Sequence, residues 1–214
     1  MKILIGQPIH EENIDQLENE IKANSAIDIV LFPEGYLSNE KALKKACEAA
    51  KAYSVIIITS YRKNNKDRAV IINDNGEIIL ERDKTLPDEA VELNKPLVVH
   101  YNGSIIAYLL CMEILKGMRD IEKVNENISF IAHPIGVGMF SDEQFEQWVN
   151  EAKRIAKKYN TIILGTSHAD GSYRNCGISI PIAYCIDKDG EPIFISKSDT
   201  RTRIINLSTK ECSY

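Results

Sequence analysis

Apolar positions along the chain follow two rhythms, and the switch between them marks where elements begin and end. "KILIGQ" (2–7), "AIDIVLFP" (26–33) and "VIIITS" (55–60) are short β-branched runs that read as buried strands. Helical spacing separates them. "EENIDQLENEIKAN" (11–24) puts Ile14, Leu17 and Ile21 on one face, and "NEKALKKACEAAKAY" (39–53) is rich in alanine and lysine. The rhythm then changes. "DRAVIIN" (67–73), "DNGE" (74–77) and "IILER" (78–82) form strand, turn and strand, the pattern of a hairpin. "PLVVHY" (96–101) leads through "NGS" into "IIAYLLC" (105–111), a helical stretch covers 113–123, and "ISFIAHP" (128–134) is again a strand. "SDEQFEQWVNEAKRIAKKYN" (141–160) is the clearest helix. Ser141 caps it, and Phe145, Trp148, Val149, Ala152, Ile155, Ala156 and Tyr159 form its apolar stripe. "TIILGTS" (161–167) is a strand, and "ISIPIAYCID" (178–187), "KDGE" and "PIFISK" (192–197) make a second hairpin.

Parallel-type β–α units mixed with hairpins predict mixed sheets with helices outside them. No Gly/Ser/Pro-rich linker and no internal repeat interrupts the 214 residues, so one domain over 1–214 is expected. With 44% hydrophobic and 27% charged residues the composition is that of an ordinary globular protein. A net charge of −5 provides no global basic field, which argues against nucleic acid or an anionic membrane surface as partner. The apolar runs fall short of the ~18 residues that span a bilayer. The N-terminal run is too short for a signal-peptide core. A cytoplasmic protein is expected. The five cysteines are scattered without a CxxC pair, which favours reduced thiols over a metal site or disulfides, and neither metal nor cofactor is expected.

Three polar residues stand at strand ends. In "LLCMEIL" (109–115) an apolar run stops at Cys111, either a small hydrophobe closing a buried strand or a thiol presented for chemistry. In "VLFPEGYLS" (30–38) Glu34 follows a buried strand directly. Pro-Glu-Gly is turn chemistry, yet a carboxyl against Leu31 and Phe32 would also have its pKa raised by burial. In "ILERDKTLPDE" (79–89) Lys84 lies just past another strand, followed by Glu89 and then Glu92, either of which is a partner for it or a solvated side chain. A thiol of pKa ~8.5 needs a base or a positive neighbour for activation. In the chemical reading, Glu34 takes the thiol proton and Lys84 stabilises negative charge on a reacting carbonyl.

"LFPEGYLS", "RDKTLP" and "LLCMEI", in that order, resemble the Glu–Lys–Cys pattern of the nitrilase superfamily of carbon–nitrogen hydrolases. "KILIGQP" resembles that family's opening strand, and "NCGISIPIAYCIDKDGEPIFIS" its Gly-x-Ser strand and closing hairpin, so the likeness spans nearly the whole chain. The resemblance implies an α/β (α+β type) fold, a four-layer α-β-β-α sandwich with two mixed sheets packed face to face. It implies Glu34 as general base and acid, Lys84 as oxyanion stabiliser, Cys111 as nucleophile and Glu89 as the family's further glutamate, with Glu92 as the substitute. It also implies that Met112, Glu113, His133 and Ile135 face the substrate, with the Met112 N–H as second oxyanion donor, and that the chain forms a homodimer; a merely structural role for His133 is the alternative. The substrate would be a small linear amide, with nitriles second.

The chain departs from the family pattern at Met112, where an aromatic residue is usual, in "IAKKYN" at the end of the long helix, and in its shortness between Lys84 and Cys111. Those departures leave room for a non-catalytic binding or scaffold protein on the same fold. An isochorismatase-like thiol hydrolase is the other alternative; it would require a three-layer parallel sheet. His168, Asp170 and Arg174 form a loop that either touches substrate or faces solvent. Cys47 and Cys185 read as packing residues, and Trp148 as helix core.

Overall fold

Period-2 alternation in the strands decides which side chain enters which layer. A computed structural model describes the chain except for residues 25, 89, 125 and 171–176. The first half runs β1 (Lys2–Ile5), α1 (Asp15–Ala23), β2 (Ile29–Leu31), α2 (Glu40–Tyr53), β3 (Ile56–Lys63), β4 (Lys66–Ile72) and β5 (Ile78–Asp83). Then come β6 (Val98–Tyr101), β7 (Ser104–Tyr108), α3 (Ile114–Asp120), β8 (Phe130–Pro134), α4 (Asp142–Tyr159), β9 (Ile162–Thr166), β10 (Ile182–Ile186) and β11 (Pro192–Lys197). The chain ends with β12 (Arg203–Asn206) and β13 (Cys212–Ser213).

Two mixed sheets result, ordered β13-β12-β1-β2-β3-β4-β5 and β11-β10-β9-β8-β7-β6. Each has a parallel trio, β1-β2-β3 or β7-β8-β9, followed by two antiparallel strands. The two halves therefore share one wiring, β-α-β-α-β-β-β, although their sequences show no repeat. Ile3, Ile5, Ile29, Leu31, Ile58 and Ile71 of the first sheet meet Ile106, Tyr108, Phe130, Ala132, Leu164 and Ala183 of the second in one buried cluster. The alternate positions point outward. Leu4, Val30, Ile57 and Val70 pack under α1 and α2, and Ala107, Ile131, Ile163 and Tyr184 under α3 and α4. The layers are thus α-β-β-α, as the family resemblance implied, rather than three. Each fully buried Ile or Leu contributes roughly 1.5–3 kcal/mol relative to exposure.

The helices stop and start where their caps dictate. The Asn39 side chain accepts from the N–H groups of Lys41 and Ala42 at 2.9 and 3.0 Å, and Ser141 accepts from Gln144 at 3.2 Å. One feature differs from the expected organisation. The 55–60 strand continues to Lys63 and pairs with β4 across a two-residue turn at Asn64 and Asn65, both with positive φ (51° and 60°). Asparagine tolerates that left-handed backbone, so the pair closes a tight hairpin. Strands β12 and β13, which return to the first sheet beside β1, also lie beyond the expected elements. Among the described residues, no helix is long and apolar enough to cross a membrane.

The packing under β9 gives a stability test. A Cβ on Gly165 would come within 2.4 Å of the Tyr184 ring. Gly165→Ala is expected to lower unfolding free energy by about 1–3 kcal/mol in urea titration, the usual range for overpacking a filled core. A loss under ~0.5 kcal/mol would show that the ring moves aside freely.

Candidate active site

Glu34, Lys84 and Cys111 sit past the carboxyl ends of β2, β5 and β7, the end of a sheet where open α/β folds place their ligands. Glu34 lies on a tight loop. Thr59 Oγ1 donates to the Pro33 carbonyl at 2.8 Å, the Gly35 N–H donates to Ser60 Oγ at 2.5 Å, and Gly35 has φ +73°. His168 Nε2–H donates to the Glu34 carbonyl at 3.0 Å. With its backbone fixed on three sides, Glu34 points inward and is only 1% exposed. Lys84 Nζ reaches it, donating to Oε1 at 2.6 Å.

Cys111 ends the β7 run with φ +54°, a left-handed conformation that a non-glycine residue holds only under constraint. The constraints are visible. The Leu109 N–H donates to the Ala132 carbonyl at 2.9 Å, and the Leu110 N–H donates to Glu113 Oε2 at 2.7 Å. His133 Nε2–H donates to the Cys111 carbonyl at 2.8 Å, while the Tyr184 hydroxyl donates to His133 Nδ1. The Glu34 carboxylate, the Lys84 ammonium and the Gly136 N–H all lie near enough to the sulfur to act on its proton affinity. All three expected side chains therefore meet.

Burial, and then the Glu34 carboxylate, push the Cys111 thiol up to about 12; Lys84 and the Gly136 N–H pull the other way without prevailing. The Cys111 side chain is a neutral thiol at rest. Burial lowers the Lys84 pKa, but the opposing charges of Cys111 and Glu34 outweigh it and hold the group above an ordinary lysine, as an ammonium. Burial lowers His133 to about 4 despite its bond to the Cys111 carbonyl, so its ring is neutral.

The four residues expected to face substrate divide. Met112 is 45% exposed and lines a depression of about 100 Å³ with Thr85, Leu86, Pro87 and Leu115. The other three are buried, although Glu113 also lines that depression. Glu113 is buried, and both its oxygens are occupied by Arg82, Thr85 and Leu110. His133 is fully buried beneath Cys111 and stacks on Trp148 at 5.7 Å. Ile135 belongs to the core between the second sheet and α4. Glu89 lies outside the described residues, as do Arg174 and Cys176. Glu92 pairs with Lys123 at 2.5 Å on the surface. The loop between Lys84 and Asn94 is tied to α3. Lys116 Nζ donates to the carbonyls of Asp88 and Val91, and the Leu93 N–H donates to Asp120 Oδ2 at 2.9 Å.

Arg82, Gly136, Tyr184 and the structural use of His168 were not anticipated. A signal existed for Arg82, which occupies the same inward-facing register on β5 as Leu80. His10, His168 and Asp170 bring three potential metal-ligand atoms within 4.8 Å of one another, among the described residues. The two imidazoles are stacked 3.7 Å apart at 12°, with His10 Nδ1 on Asp170 and His168 Nε2 on the Glu34 carbonyl. Nearly parallel rings do not aim their lone pairs at one point about 2 Å from each, as a tetrahedral metal needs.

No family model matches the sequence, and no curated protein matches it. Solved structures do. A variant of the nitrilase-superfamily amidase from Nesterenkonia AN1 superposes with TM-score 0.78 at 13% identity, covering 95% of this chain and 89% of that one. A carbon–nitrogen hydrolase from Helicobacter pylori G27 gives TM-score 0.75 at 13% identity, covering 98% and 90%. Another variant of the Nesterenkonia amidase carries the acetamide moiety of fluoroacetamide on its active-site cysteine, with TM-score 0.78, 13% identity and the same coverage as the first. The chain has the fold of nitrilase-superfamily amidases.

The buried histidine under Cys111 makes stability pH-dependent. Its folded pKa, about 4, lies below the ordinary 6.5. Between those values the unfolded chain holds a proton that the folded chain does not. The contribution is therefore complete above pH 6.5 and is lost as pH falls toward 4, on the order of 3 kcal/mol. His168, also lowered to about 4 chiefly by burial, acts in the same direction. In urea titrations at pH 7 and pH 4.5, His133→Gln should lose about half of the histidine-dependent fall in stability. An unchanged fall would mean that His133 is protonated in the folded protein.

Proposed function

We propose that this chain is a thiol amidohydrolase of the nitrilase superfamily that cleaves the carbon–nitrogen bond of a small linear amide. The observation that carries this reading is the convergence of one carboxylate, one ammonium and one strained cysteine at the carboxyl ends of three strands, on the fold of known amidases.

In the first step Cys111 Sγ attacks the amide carbon as Glu34 accepts the thiol proton. Charge develops on the former carbonyl oxygen, where Lys84 Nζ and the Met112 N–H serve as donors. Glu34 then passes its proton to the departing nitrogen as the carbon–nitrogen bond breaks, leaving a thioester. Water, deprotonated by Glu34, attacks that thioester; the tetrahedral intermediate expels the sulfur, which recovers the proton. One carboxylate acts in both halves, and the sulfur is neutral before and after. No histidine takes part, because His133 and His168 are buried behind the site on backbone carbonyls. Glu89 is the further glutamate in this reading.

Ammonia release from a panel of small amides, carbamoyl compounds and nitriles tests the proposal, with Cys111→Ala as the blank. Amides are expected to turn over, and the alanine variant should lose at least about 10⁴-fold in kcat. Intact-mass trapping should show the acyl half of the substrate on Cys111. Alanine at 111 with hydrolysis intact would end the proposal.

A second expectation concerns the free enzyme. Because the resting sulfur is protonated, the rate of Cys111 carbamidomethylation by iodoacetamide should climb with pH through the alkaline range, about tenfold per unit. A plateau already reached near pH 7 would reveal a thiolate–ammonium pair instead.

A further inference from the structure

We propose that Arg82 and Glu113 form a buried clamp that sets the separation between the Lys84 ammonium and the Cys111 sulfur, making both positioning residues for the amide hydrolysis proposed above, on which this assignment rests. Glu34 and Lys84 come from the first sheet and Cys111 from the second. Catalytic geometry therefore depends on how the two sheets are held against each other, and apolar packing between them is not directional. Glu113 supplies direction.

Oε1 bonds twice to the β5 side, and Oε2 bonds to both sides. Oε1 accepts from Arg82 Nη1 at 2.8 Å and from the Thr85 N–H at 2.8 Å. Oε2 accepts from Arg82 Nη2 at 2.6 Å and from the Leu110 N–H at 2.7 Å. Arg82 Nη2 donates again, to the Tyr108 carbonyl at the end of β7, at 3.1 Å. Lys84 is thus bracketed by bonds at residues 82 and 85, and Cys111 by bonds at residues 110 and 113. Both charged side chains are 1% exposed.

Stability alone does not account for the pair. A buried ion pair is often no more stabilising than an apolar pair of equal volume, whereas its hydrogen bonds are directional; here both Glu113 oxygens and both Arg82 Nη atoms are engaged. A planar guanidinium on a carboxylate is a bidentate, directional contact, and here it lies across the seam between the sheets. Burial pushes the Glu113 carboxyl up, but Arg82 and the two N–H donors hold it below the usual carboxylate range, so the clamp stays charged.

The test uses the double variant Arg82→Met/Glu113→Gln, which removes both charges at near-constant volume. A glutamine at 113 can accept from only one of the Thr85 and Leu110 N–H groups, because its other end is a donor. Folding is followed by circular dichroism. Kinetics on the best amide of the panel are expected to show kcat down about 100-fold with KM within about threefold, the signature of misplaced reacting groups. The pH profile of Cys111 alkylation by iodoacetamide, read by peptide mass, should move upward by about half a unit or more as Lys84 recedes from the sulfur.

Should the double variant fail to fold, Glu113→Asp serves in its place, with the same split between kcat and KM expected from the shorter reach. A kcat within threefold of the parent together with an unmoved alkylation profile overturns the clamp. So does a rise in KM at constant kcat, which would make Glu113 a substrate ligand. The alkylation arm needs no substrate. If the panel shows no turnover in the parent, amide hydrolysis fails while the profile still decides the clamp.

Discussion

A carboxylate that is 1% exposed, at the end of an Ile-Val-Leu strand, persists in the interior because an ammonium lies 2.6 Å from it. Leaving either charge alone there would cost several kcal/mol. The Glu34–Lys84 pair is therefore the condition on which the rest of the site is built. It requires β5 to end beside the turn after β2, although that strand lies at the far edge of the first sheet. It also sets the state of the sulfur. The Lys84 charge is already committed to Glu34, so Cys111 faces a nearly compensated pair in a dry pocket, and the thiol keeps its proton.

The shared wiring of the two halves explains why distant residues arrive at one rim. Each half runs its parallel trio in a single direction, so the turns after β2 and β7 open toward the same side when the sheets pack. Packing alone leaves the backbone at Cys111 free to relax out of its left-handed conformation. Bonds to the Leu109 N–H, the Leu110 N–H and the Cys111 carbonyl remove that freedom. A non-glycine residue in such a conformation costs on the order of 1–3 kcal/mol and endures where its surroundings over-determine it. The buried histidine is part of that surrounding structure. It is neutral and holds the backbone of Cys111.

Much of this was legible in the sequence, for physical reasons. Short β-branched runs marked β1 to β4, and the stripe from Phe145 to Tyr159 with Ser141 ahead of it located α4 within one residue of its ends. Glu34 and Cys111 stood out because each follows or ends an apolar run, and Lys84 because it lies just past a strand, between them in the Glu–Lys–Cys order. What did not show was orientation. Glu113 and Ile135 lie close in sequence to the sulfur or its strand neighbour, and nearness along the chain does not say which way a side chain turns after a sharp bend. The β3–β4 hairpin does not show in the pattern because its turn is closed by two asparagines rather than by the usual Asn-Gly, and polar residues 61–66 separate the two apolar runs. Strands β12 and β13 are short and polar, and their existence depends on the open edge of β1 rather than on a pattern of their own.

One ammonium serving two acceptors gives the proposed reaction its timing. In the free enzyme Lys84 donates to Glu34. As negative charge develops on a bound carbonyl oxygen, that oxygen competes for the same ammonium. Each increment of charge drawn toward the oxyanion loosens the Lys84–Glu34 bond and frees a Glu34 oxygen during the step in which the sulfur gives up its proton. Attack and deprotonation then favour each other, and a neutral thiol needs no prior ionisation in a pocket that opposes it. Such coupling works only within a narrow range of distances between nitrogen, carboxylate and sulfur. For that reason the polar ties across the seam between the sheets matter to the chemistry as much as the reacting groups do.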